Sequence, residues 1–459
     1  MTIDAQHPLP GTRPLVVGVA RSGVAAARLL RRHGLDVRAC DARSADSAPG
    51  TARTLKELGI EAVWGSDAAS NLDGRDLVIW SPGVPEGHPI AEAARRRGIP
   101  VLSELELGYL AAHAPLVCVT GTNGKSTTTD LTGTLLRAAG REVEVCGNIG
   151  RPICDIAEGV SARGLLVVEV SSFQLESVDR LKPFVGVWLN LTPDHLDRHR
   201  DFERYGAMKQ RLFARQDESD YAVWNADDSE VVKRRASAAT WLEFSARGPV
   251  AQGAGVEDGG IVLAWRGGVE RLMPVRELGV PGPHNALNAL AALAAVQPWE
   301  IAPATLLETL RGYRGLEHRL ERVMVVDGVM FVNDSKATNA GSLEVALQSF
   351  DRPVVLIAGG RDKGQDFAPL RDLVRRATRA VVLIGEGAAA MERAWPDVPR
   401  VHAATFPEAV DAAFERARPG GTVLLSPGCA SFDMFRDYED RGRRFKAEVA
   451  RIQMNEAHA

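Results

Sequence analysis

A glycine-containing turn near residue 120 constrains the fold of this chain more than any other feature. The turn is Val119-Thr120-Gly121-Thr122-Asn123-Gly124-Lys125-Ser126-Thr127, and the apolar run Leu116 to Val119 predicts a buried parallel strand before it. The residues after it, Thr128 to Ala139, place three leucines on one face of a predicted helix. A strand, a turn and a helix in this order surround phosphate groups with backbone N–H donors. The sequence therefore predicts an ATP site on an α/β sheet.

Two side chains of this turn suit a nucleotide that carries Mg²⁺. Lys125 would neutralise phosphate charge, and the hydroxyl of Ser126 would bind the metal. The common pattern has a glycine at the position of Val119, whereas here Gly121 lies inside the turn. The alternative is a glycine-rich turn with a solvated lysine, which the flanking strand and helix disfavour.

The length and composition predict a cytoplasmic protein with several α/β domains. A chain of 459 residues exceeds what one hydrophobic core normally serves, and its 45% hydrophobic and 25% charged residues are typical of globular proteins. The net charge of −4 gives no general attraction to nucleic acid or to an anionic membrane. No apolar stretch approaches the roughly 18 residues of a membrane span. The five cysteines are scattered without a C-x-x-C pair, which indicates reduced thiols.

The first part of the chain predicts a Rossmann-like unit. A strand from Leu15 to Val17 precedes the turn Gly18 to Gly23 and a helix, and a second strand ends at Asp41. This is nearly a dinucleotide-binding fingerprint, with Ala20 in place of the middle glycine. Two interpretations stay open: a nucleotide-like ligand, NAD included, and a plain packing turn of a βαβ unit.

Polar residues at the ends of other predicted strands mark further candidate sites. The turn Ser81 to Val84 follows one strand, where ligands of such folds collect, although an ordinary loop is the alternative. Glu169 ends an apolar strand, and its carboxylate either meets the Mg²⁺ of a nucleotide or faces water. The segment Asp194 to His199 lacks the spacing of a zinc site but leaves a magnesium site open. Composition alone does not distinguish Lys209 from a surface lysine. The Gly-rich segment Ala251 to Gly268 is expected to form an exposed β-hairpin region.

The chain from about residue 315 onward predicts a third α/β unit. A β-hairpin with an Asp327-Gly328 turn leads into the polar string Asn333 to Asn339, and later strands alternate with helices. These strands end in polar loops at 359–363, 385–387 and 426–431. Such loops predict a second ligand site that faces the ATP unit, while ordinary loop chemistry is the alternative.

Together these motifs resemble the Mur ligases of bacterial peptidoglycan synthesis over nearly the whole chain. The matching strings are V-T-G-T-N-G-K-S-T at 119–127, G-N-I-G at 147–150, E-V-S-S-F-Q-L-E at 169–176, N-L-T-P-D-H-L-D-R-H at 190–199, H-N at 284–285, H-R at 318–319, N-D-S-K-A-T-N at 333–339 and S-P-G-C-A-S-F-D at 426–433. The string at 333–339 is typical of the branch of the family that adds glutamate. The resemblance implies three α/β domains, which are a Rossmann-like UDP-binding domain at 1–112, a central P-loop ATPase-like parallel sheet at 113–314, and a Rossmann-like glutamate-binding domain at 315–459.

The resemblance also implies a role for each matching residue. ATP would contact Gly121, Thr122, Asn123, Gly124, Lys125, Ser126, Thr127, Asn285, Arg319 and Asp334. Mg²⁺ would be held by Ser126, Glu169, His195 and Lys209, with Lys209 carbamylated by CO₂, and the catalytic residues would be Lys125, Glu169, His195 and Lys209. The UDP substrate would contact Arg21, Ser22, Asp41, Arg43, Ser81, Gly83, Asn148 and Ser171. Glutamate would contact Lys336, Thr338, Lys363, Ser431 and Tyr438.

The reaction implied by the resemblance is ATP-dependent amide-bond formation between glutamate and UDP-N-acetylmuramoyl-L-alanine, through an acyl phosphate. D-glutamate is the usual substrate in the family, and L-glutamate or another amide ligation, such as that of folylpolyglutamate synthetases, is an alternative. A nicotinamide dehydrogenase would leave the turn at 119–127 without a role, and an ATP-hydrolysing switch would join no substrates. The expected partners are small molecules, with neither nucleic acid nor membrane, and we expect a monomer.

Overall fold

Parallel sheets flanked by helices make up this protein, as the sequence predicts. The computed structural model describes residues 2–4, 7–85, 87–280, 282–362 and 364–456. The chain divides into two compact units, Met1–Leu278 with His284–Tyr313, and Gly279–Pro283 with Arg314–Ala459. The first unit contains a five-stranded and a nine-stranded sheet, and the second contains a six-stranded sheet.

The five-stranded sheet is fully parallel and has a Rossmann-like strand order. From one edge to the other its strands are Glu61–Trp64, Arg38–Asp41, Pro14–Val17, Leu77–Trp80 and Val101–Ser103. Its helices are Arg21–Arg32, Pro49–Glu57, Pro89–Arg96 and Glu104–Ala111. A two-stranded antiparallel ribbon, Thr2–Asp4 with His7–Pro8, precedes them. The second strand ends at Asp41, as expected, so that Asp41 lies within the sheet.

The nine-stranded sheet carries the phosphate-binding turn. From one edge to the other its strands are Gly268–Pro274, Gly260–Trp265, Gly253–Glu257, Thr240–Ser245, Tyr221–Asn225, Val185–Trp188, Leu116–Thr120, Leu165–Glu169 and Val143–Gly147. The first two strands of this list pair antiparallel, and the other seven are parallel to one another. Its helices are Lys125–Ala138, Leu196–His199, Phe202–Gln210, Ser229–Arg234, Pro283–Val296 and Pro303–Gly312.

One sequence-based expectation about this sheet is wrong. The segment Ala251 to Gly268 is predicted as an exposed hairpin, and it does form antiparallel strands. However, Ala254 and Ile261 are fully buried. The strands extend the central sheet, and the Nε2 of Gln297 donates a 2.6 Å hydrogen bond to the carbonyl oxygen of Gly253. The glycines therefore allow close packing rather than marking a loose surface segment.

The six-stranded sheet of the second unit begins with the predicted hairpin. From one edge to the other its strands are Glu321–Val326, Val329–Asn333, Thr422–Gly428, Val354–Gly359, Thr378–Ile384 and Arg400–His402. Asp327 and Gly328 both have positive φ, at 45° and 76°, as a two-residue hairpin turn of the I′ kind requires. The helices are Ala340–Leu347, Arg371–Ala377, Ala388–Ala394, Phe406–Ala417 and Tyr438–Glu456. Hydrophobic clusters cover both faces of this sheet.

Short 3₁₀ helices connect several of these elements. They are Ala45–Ser47, Ala69–Leu72, Ile153–Asp155, Ala157–Gly159, Gln174–Ser177, Arg211–Phe213, Val275–Glu277, Gln297–Trp299 and Ala368–Leu370. Among the described residues, no helix combines the length and the apolar character that crossing a membrane requires. All five cysteines are free and buried, as expected from their positions in the sequence.

The two sheets of the first unit share one hydrophobic cluster, and a buried carboxyl group lies within it. The helix Glu104–Ala111 contributes three buried leucines to this cluster. The Oε1 of Glu104 accepts a 2.9 Å hydrogen bond from the backbone N–H of Cys154, while its Oε2 has no hydrogen-bond partner among the described residues. Burial raises the pKa of Glu104 to about 7. The folded protein therefore retains a proton here that the unfolded chain loses near pH 4.5.

Replacing Glu104 by Gln is expected to stabilise the protein at alkaline pH and not at pH 4.5. Because the folded-state pKa is raised, the carboxyl stabilises the fold below the unfolded pKa and loses this contribution as pH rises through about 7. Glu104→Gln removes the ionisation, so the gain at pH 9 is at most about 3 kcal/mol. Thermal unfolding at both pH values measures it. Glu106→Gln should destabilise at either pH, because Glu106 accepts backbone N–H bonds from Asp179, Arg180 and Leu181.

Candidate active site

The turn at 119–127 has the geometry of a phosphate-binding loop. The helix after it begins at Lys125, three residues earlier than predicted, so the turn leads directly into the helix N-terminus. The side chain of Asn190 supports the loop by accepting hydrogen bonds from the backbone N–H groups of Thr122 and Asn123, at 3.0 and 2.8 Å. The Nζ of Lys125 bends back to the carbonyl oxygens of Gly121 and Thr122, at 3.0 and 2.7 Å. The lysine therefore lies over its own loop, where a phosphate group would meet it.

Asn288 forms a support for this loop that the sequence analysis missed. Gly124 has a φ of 83°, and a Cβ atom there would lie 2.2 Å from the Oδ1 of Asn288. The same Oδ1 accepts a 3.3 Å hydrogen bond from Thr128, and the Nδ2 of Asn288 donates to the Oδ1 of Asn285 at 3.4 Å. Asn285, which was predicted to contact ATP, is thereby connected to the loop. Because Asn288 lies one helical turn after Asn285, helical spacing was the signal that could have identified it.

A buried carboxylate and a hydroxyl meet beside the loop. Glu169 is 2% exposed, so the interpretation that it faces water is wrong. One of its oxygens accepts a hydrogen bond from the hydroxyl of Ser126, and the other accepts one from the Nδ2 of Asn148 at 2.7 Å. Carboxylate and hydroxyl oxygens are the ligands that Mg²⁺ prefers. Ser126 and Glu169 therefore fit the metal that accompanies a nucleotide.

Lys209 is a deeply buried amine and not a surface lysine. Its helix begins after Asp201, whose carboxylate caps the N-terminus by accepting the N–H of Arg204 at 2.7 Å. The Nζ of Lys209 donates a 2.7 Å hydrogen bond to the carbonyl oxygen of Gly121 in the phosphate-binding loop. Burial, and next the positive charge of Lys125, hold the pKa of Lys209 well below its usual value. The uncharged amine is consequently favoured, and an uncharged amine is a nucleophile.

Aromatic side chains connect His195 with this group. The ring of Tyr205 lies 4.6 Å from the Nζ of Lys209 and 6.4 Å from the ring of His195. The Tyr205 hydroxyl also shares a 3.2 Å hydrogen bond with the hydroxyl of Thr122 in the loop. His195 is exposed and has a φ of 53°, and its ring lies 4.8 Å from the ring of Phe173. The structure thus brings the predicted residues of the 119–127, 169–176 and 190–199 strings together with Lys209.

A cavity of about 680 Å³, here called the N-terminal cavity, lies at the carboxyl ends of the five-stranded sheet. Its lining includes these sequence-predicted residues: Arg21, Ser22, Asp41, Arg43, Ser81, Gly83 and Asn148. Ser171 does not line the cavity. Its N–H and hydroxyl both donate to the Oε1 of Gln174, and Gln174 does line the cavity. Further lining residues that the sequence analysis missed include Ser66, Asp67, His88, Gly150 and Gln174.

Asp41 orients the guanidinium of Arg43 at the edge of this cavity. Its carboxylate accepts two hydrogen bonds from the Arg43 guanidinium, at 2.8 and 2.9 Å, and one from the N–H of Val19 at 2.9 Å. Burial opposes its ionisation, but these bonds hold the pKa of Asp41 at about 2. Both oxygens of the acid are therefore already bonded within the protein. The guanidinium of Arg43 is about half exposed and suits an anionic ligand.

In the second unit, the predicted nucleotide-binding pair Arg319 and Asp334 lie within electrostatic reach of each other. Asp334 is buried and accepts hydrogen bonds from the Ser426 hydroxyl at 2.8 Å and from the N–H of Leu320 at 3.3 Å. Burial raises the pKa of Asp334 to about 7, although Ser426 and Arg319 act in the opposite direction. This carboxyl therefore lies at the junction of the polar strings that begin at 333 and 426.

Three of the residues predicted to bind glutamate, Lys336, Thr338 and Ser431, lie on the same two strings, and a fourth, Tyr438, begins the helix Tyr438–Glu456. The Nζ of Lys336 is 3.9 Å from the centre of the Tyr438 ring. Ser431 is buried and Thr338 is half-buried, while Lys363 lies outside the described residues.

Arg441 is a buried connection between these strings that the sequence analysis missed. It donates from Nε to the Ser335 hydroxyl at 2.9 Å, from Nη2 to the Ser335 carbonyl at 2.7 Å, and from Nη1 to the Cys429 carbonyl at 3.1 Å. Burial lowers the pKa of Arg441 to about 10. The sequence gives no signal for it, because an arginine in a charged helix is normally a surface residue.

Three protein-family models match successive parts of the chain. Residues 12–103 match the Mur ligase MurD-like N-terminal domain, residues 119–296 the Mur ligase middle domain, and residues 318–429 the Mur ligase glutamate ligase domain. The chain belongs to the Mur ligase family. The resemblance found in the sequence motifs is thereby confirmed.

Relatives of this Mur ligase match it along nearly their full length. A protein named UDP-N-acetylmuramoylalanine–D-glutamate ligase from Salinibacter ruber is 45% identical over 455 residues, covering 95% of this chain and 97% of the relative. A protein of the same name from Myxococcus xanthus is 45% identical over 451 residues, covering 96% of this chain and 98% of the relative.

Solved structures of more distant Mur ligases share the fold. MurF from Acinetobacter baumannii superposes with a TM-score of 0.61 at 16% identity, covering 96% of this chain and 93% of that one. UDP-N-acetylmuramate-alanine ligase MurC from Thermotoga maritima gives a TM-score of 0.57 at 21% identity, covering 96% and 99%. The expected three-domain α/β architecture is confirmed.

Gly124→Ala should weaken ATP binding by at least about tenfold. The added Cβ suffers the strain of a positive φ, which costs about 1 kcal/mol, and it also collides with Asn288. In an Asn288→Ala background the collision is absent, so the same change should weaken binding less. Nucleotide titration of all four proteins measures the difference.

Gly140→Ala is the matched control for this prediction. Gly140 has a φ of 76°, and an added Cβ there would meet nothing within 4 Å. It should reduce stability through strain alone and leave ATP affinity unchanged. Equal losses of ATP affinity at the two glycines would contradict the role given to Asn288.

Proposed function

We propose that this Mur ligase joins D-glutamate to UDP-N-acetylmuramoyl-L-alanine, with ATP converted to ADP and phosphate. The observation that carries the proposal is the buried pair of Ser126 and Glu169 at the end of a phosphate-binding loop, with the buried amine of Lys209 bonded to the same loop. The name shared by relatives of 45% identity supports the identity of the substrates. ATP would be the co-substrate, and Mg²⁺ would be the metal ion.

The first step would be phosphoryl transfer. Lys125 and the backbone N–H groups of its loop would hold the phosphates, and Ser126 with Glu169 would hold Mg²⁺. Bound Mg²⁺ supplies positive charge that offsets the charge crowded between nucleotide and acceptor. An oxygen of the alanyl carboxylate attacks the γ-phosphorus, the bond to ADP breaks, and an acyl phosphate forms. The carboxylate, which is a poor electrophile, is thereby activated.

The second step would form the amide. The uncharged amine of glutamate attacks the carbonyl carbon of the acyl phosphate, and phosphate leaves with the electron pair of the broken C–O bond. The amine gives up one proton as the amide forms. Lys336, Thr338, Lys363, Ser431 and Tyr438 would receive glutamate, and the cationic lysines would pair with its carboxylates. Arg319, Asp334 and Asn285 would contact the nucleotide.

The N-terminal cavity would hold the UDP end of the substrate. Arg43, oriented by Asp41, and Arg21 supply positive charge at its lining. Asn148 lines this cavity and also donates to Glu169, so one side chain contacts both the cavity and the catalytic carboxylate. We infer that the substrate extends from the cavity toward Glu169, which would bring its alanyl carboxylate to the phosphoryl donor.

We further propose that Lys209 acts as a carbamate. Its uncharged amine attacks CO₂, a C–N bond forms, and one proton is released. The product is an anionic oxygen donor in place of an amine, and together with His195 it suits a second Mg²⁺. The protein would work as a monomer in the cytoplasm, where its ATP is supplied and its five buried thiols stay reduced.

Phosphate release should require both UDP-N-acetylmuramoyl-L-alanine and D-glutamate. Release with L-glutamate should be at least about a hundredfold slower, and Lys125→Ala should abolish it with either isomer. The matched control is Lys233→Ala, because Lys233 pairs only with Glu230 on an exposed helix face in the described structure. Release of phosphate in the absence of both UDP-N-acetylmuramoyl-L-alanine and glutamate would indicate an ATP-hydrolysing switch instead. Release with the UDP substrate and L-glutamate, but not with the UDP substrate and D-glutamate, would overturn the stereochemical assignment.

Activity should depend on dissolved CO₂ through Lys209. In CO₂-depleted buffer the rate should fall at least about fivefold and recover with bicarbonate, and ¹³CO₂ should give a carbamate carbon signal by NMR. The signal should be absent from Lys209→Gln. A wild-type protein without the signal, or with an undiminished rate in depleted buffer, would contradict the carbamate.

A further inference from the structure

Arg198 joins the wall of the N-terminal cavity to the segment that carries His195. Its Nη2 donates a 2.8 Å hydrogen bond to the carbonyl oxygen of Val84, and Val84 lines the cavity. The same guanidinium binds both carboxylate oxygens of Glu176, at 3.0 Å from Nε and 2.6 Å from Nη2. The side chains of Arg198 and Glu176 are 12% and 6% exposed. Because water is largely excluded, this pair holds its geometry more firmly than a surface ion pair does.

Val84 is itself packed against the opposite turn of the cavity. Trp80 donates from Nε1 to the same Val84 carbonyl at 3.1 Å. A Cβ atom built on Gly18 would lie 2.6 Å from a methyl group of Val84, and the Ser81 hydroxyl donates to the Gly18 carbonyl at 2.5 Å. A ligand that displaces either turn therefore displaces the carbonyl that Arg198 binds.

The other side of Arg198 contacts Phe173, whose ring lies against His195. Its guanidinium carbon lies 4.5 Å from the centre of the Phe173 ring, which is 4.8 Å from the ring of His195. The backbone carbonyl of Glu176 accepts a 3.0 Å hydrogen bond from Arg211, just after the helix of Lys209. These contacts join Arg198 to His195 through Phe173, and to the segment that follows Glu169 through Glu176.

We propose that Arg198 is a positioning residue that couples occupation of the N-terminal cavity to the arrangement of the phosphoryl-transfer residues, and hence to nucleotide affinity. The inference rests on the proposed function of this cavity as the site of the UDP substrate. If both ligands favour one arrangement of Val84, Arg198 and His195, each must tighten the binding of the other by the same factor. Arginine suits this role because its planar fork binds a carboxylate with two N–H groups and still reaches a third acceptor.

The test is calorimetric titration of the full chain with UDP-N-acetylmuramoyl-L-alanine, with and without a saturating non-hydrolysable ATP analogue and Mg²⁺. In the wild type, the analogue should tighten substrate binding at least about fivefold, the lower range of measured couplings. Arg198→Met should bring this factor to about one, while the dissociation constant of each ligand alone changes less than about threefold. Arg198→Lys, which keeps the charge but not the fork, should restore part of the factor, and Glu176→Gln should reduce it.

Arg215→Met is the matched control. Arg215 donates to the backbone carbonyl and to a carboxylate oxygen of Asp179, at 2.8 and 3.0 Å, and its side chain is 58% exposed. Its removal should leave the coupling factor unchanged.

Three results would overturn the proposal. One is a coupling factor of one in the wild type although both ligands bind. Another is a coupling factor equal to that of the wild type in folded Arg198→Lys and Glu176→Gln proteins. The third is an Arg198→Met protein whose melting temperature and separate affinities fall while the coupling stays, since this indicates a purely structural ion pair. A wild type that binds neither ligand would overturn the proposed function itself and is distinguishable from all three.

Discussion

The meeting of Ser126 and Glu169 is the contact on which the rest of the site depends. A carboxylate at the end of a buried strand is costly unless its oxygens are bonded, and here a hydroxyl and the amide of Asn148 bond them. The strands Leu116–Thr120 and Leu165–Glu169 pair in parallel, so their carboxyl ends lie side by side. Glu169 ends one strand and Ser126 follows the other, which brings the two side chains together. A pre-arranged oxygen donor pair thus lies beside the phosphate-binding loop.

Burial controls the charge of several groups in each of the two units. The amine of Lys209 is favoured in its neutral form because water is excluded, whereas Asp41 stays ionised because Arg43 and Val19 bond it. In the second unit, Asp334 is buried with a raised pKa, and Arg441 joins two loops through carbonyl oxygens. Burial by itself favours the neutral form of a group, as for Lys209. Hydrogen bonds and ion pairs keep a buried group charged where they are present, as for Asp41.

The predicted fold agrees with the structure, and several predicted site residues lie close together in it, because their signals are local in the sequence. The apolar run before Gly121, the Asp327-Gly328 turn and the alternation of strands and helices each depend on neighbouring residues. The strings at 119–127 and 333–339 likewise contain their own turn chemistry. By contrast, the hairpin after Ala251 was misjudged as exposed, because its packing includes a contact from Gln297, which lies 44 residues after Gly253 in the chain.

The sequence by itself determined the class of the fold, the phosphate-binding loop and the family to which the chain belongs. Only the tertiary structure decided that Lys209 is buried, that Asn288 supports Gly124, and that Arg198 and Arg441 each join segments distant in the chain. The physical reason is that desolvation and hydrogen bonding depend on what surrounds a side chain in space. A lysine or an arginine has the same pattern in the sequence whether water or protein surrounds it.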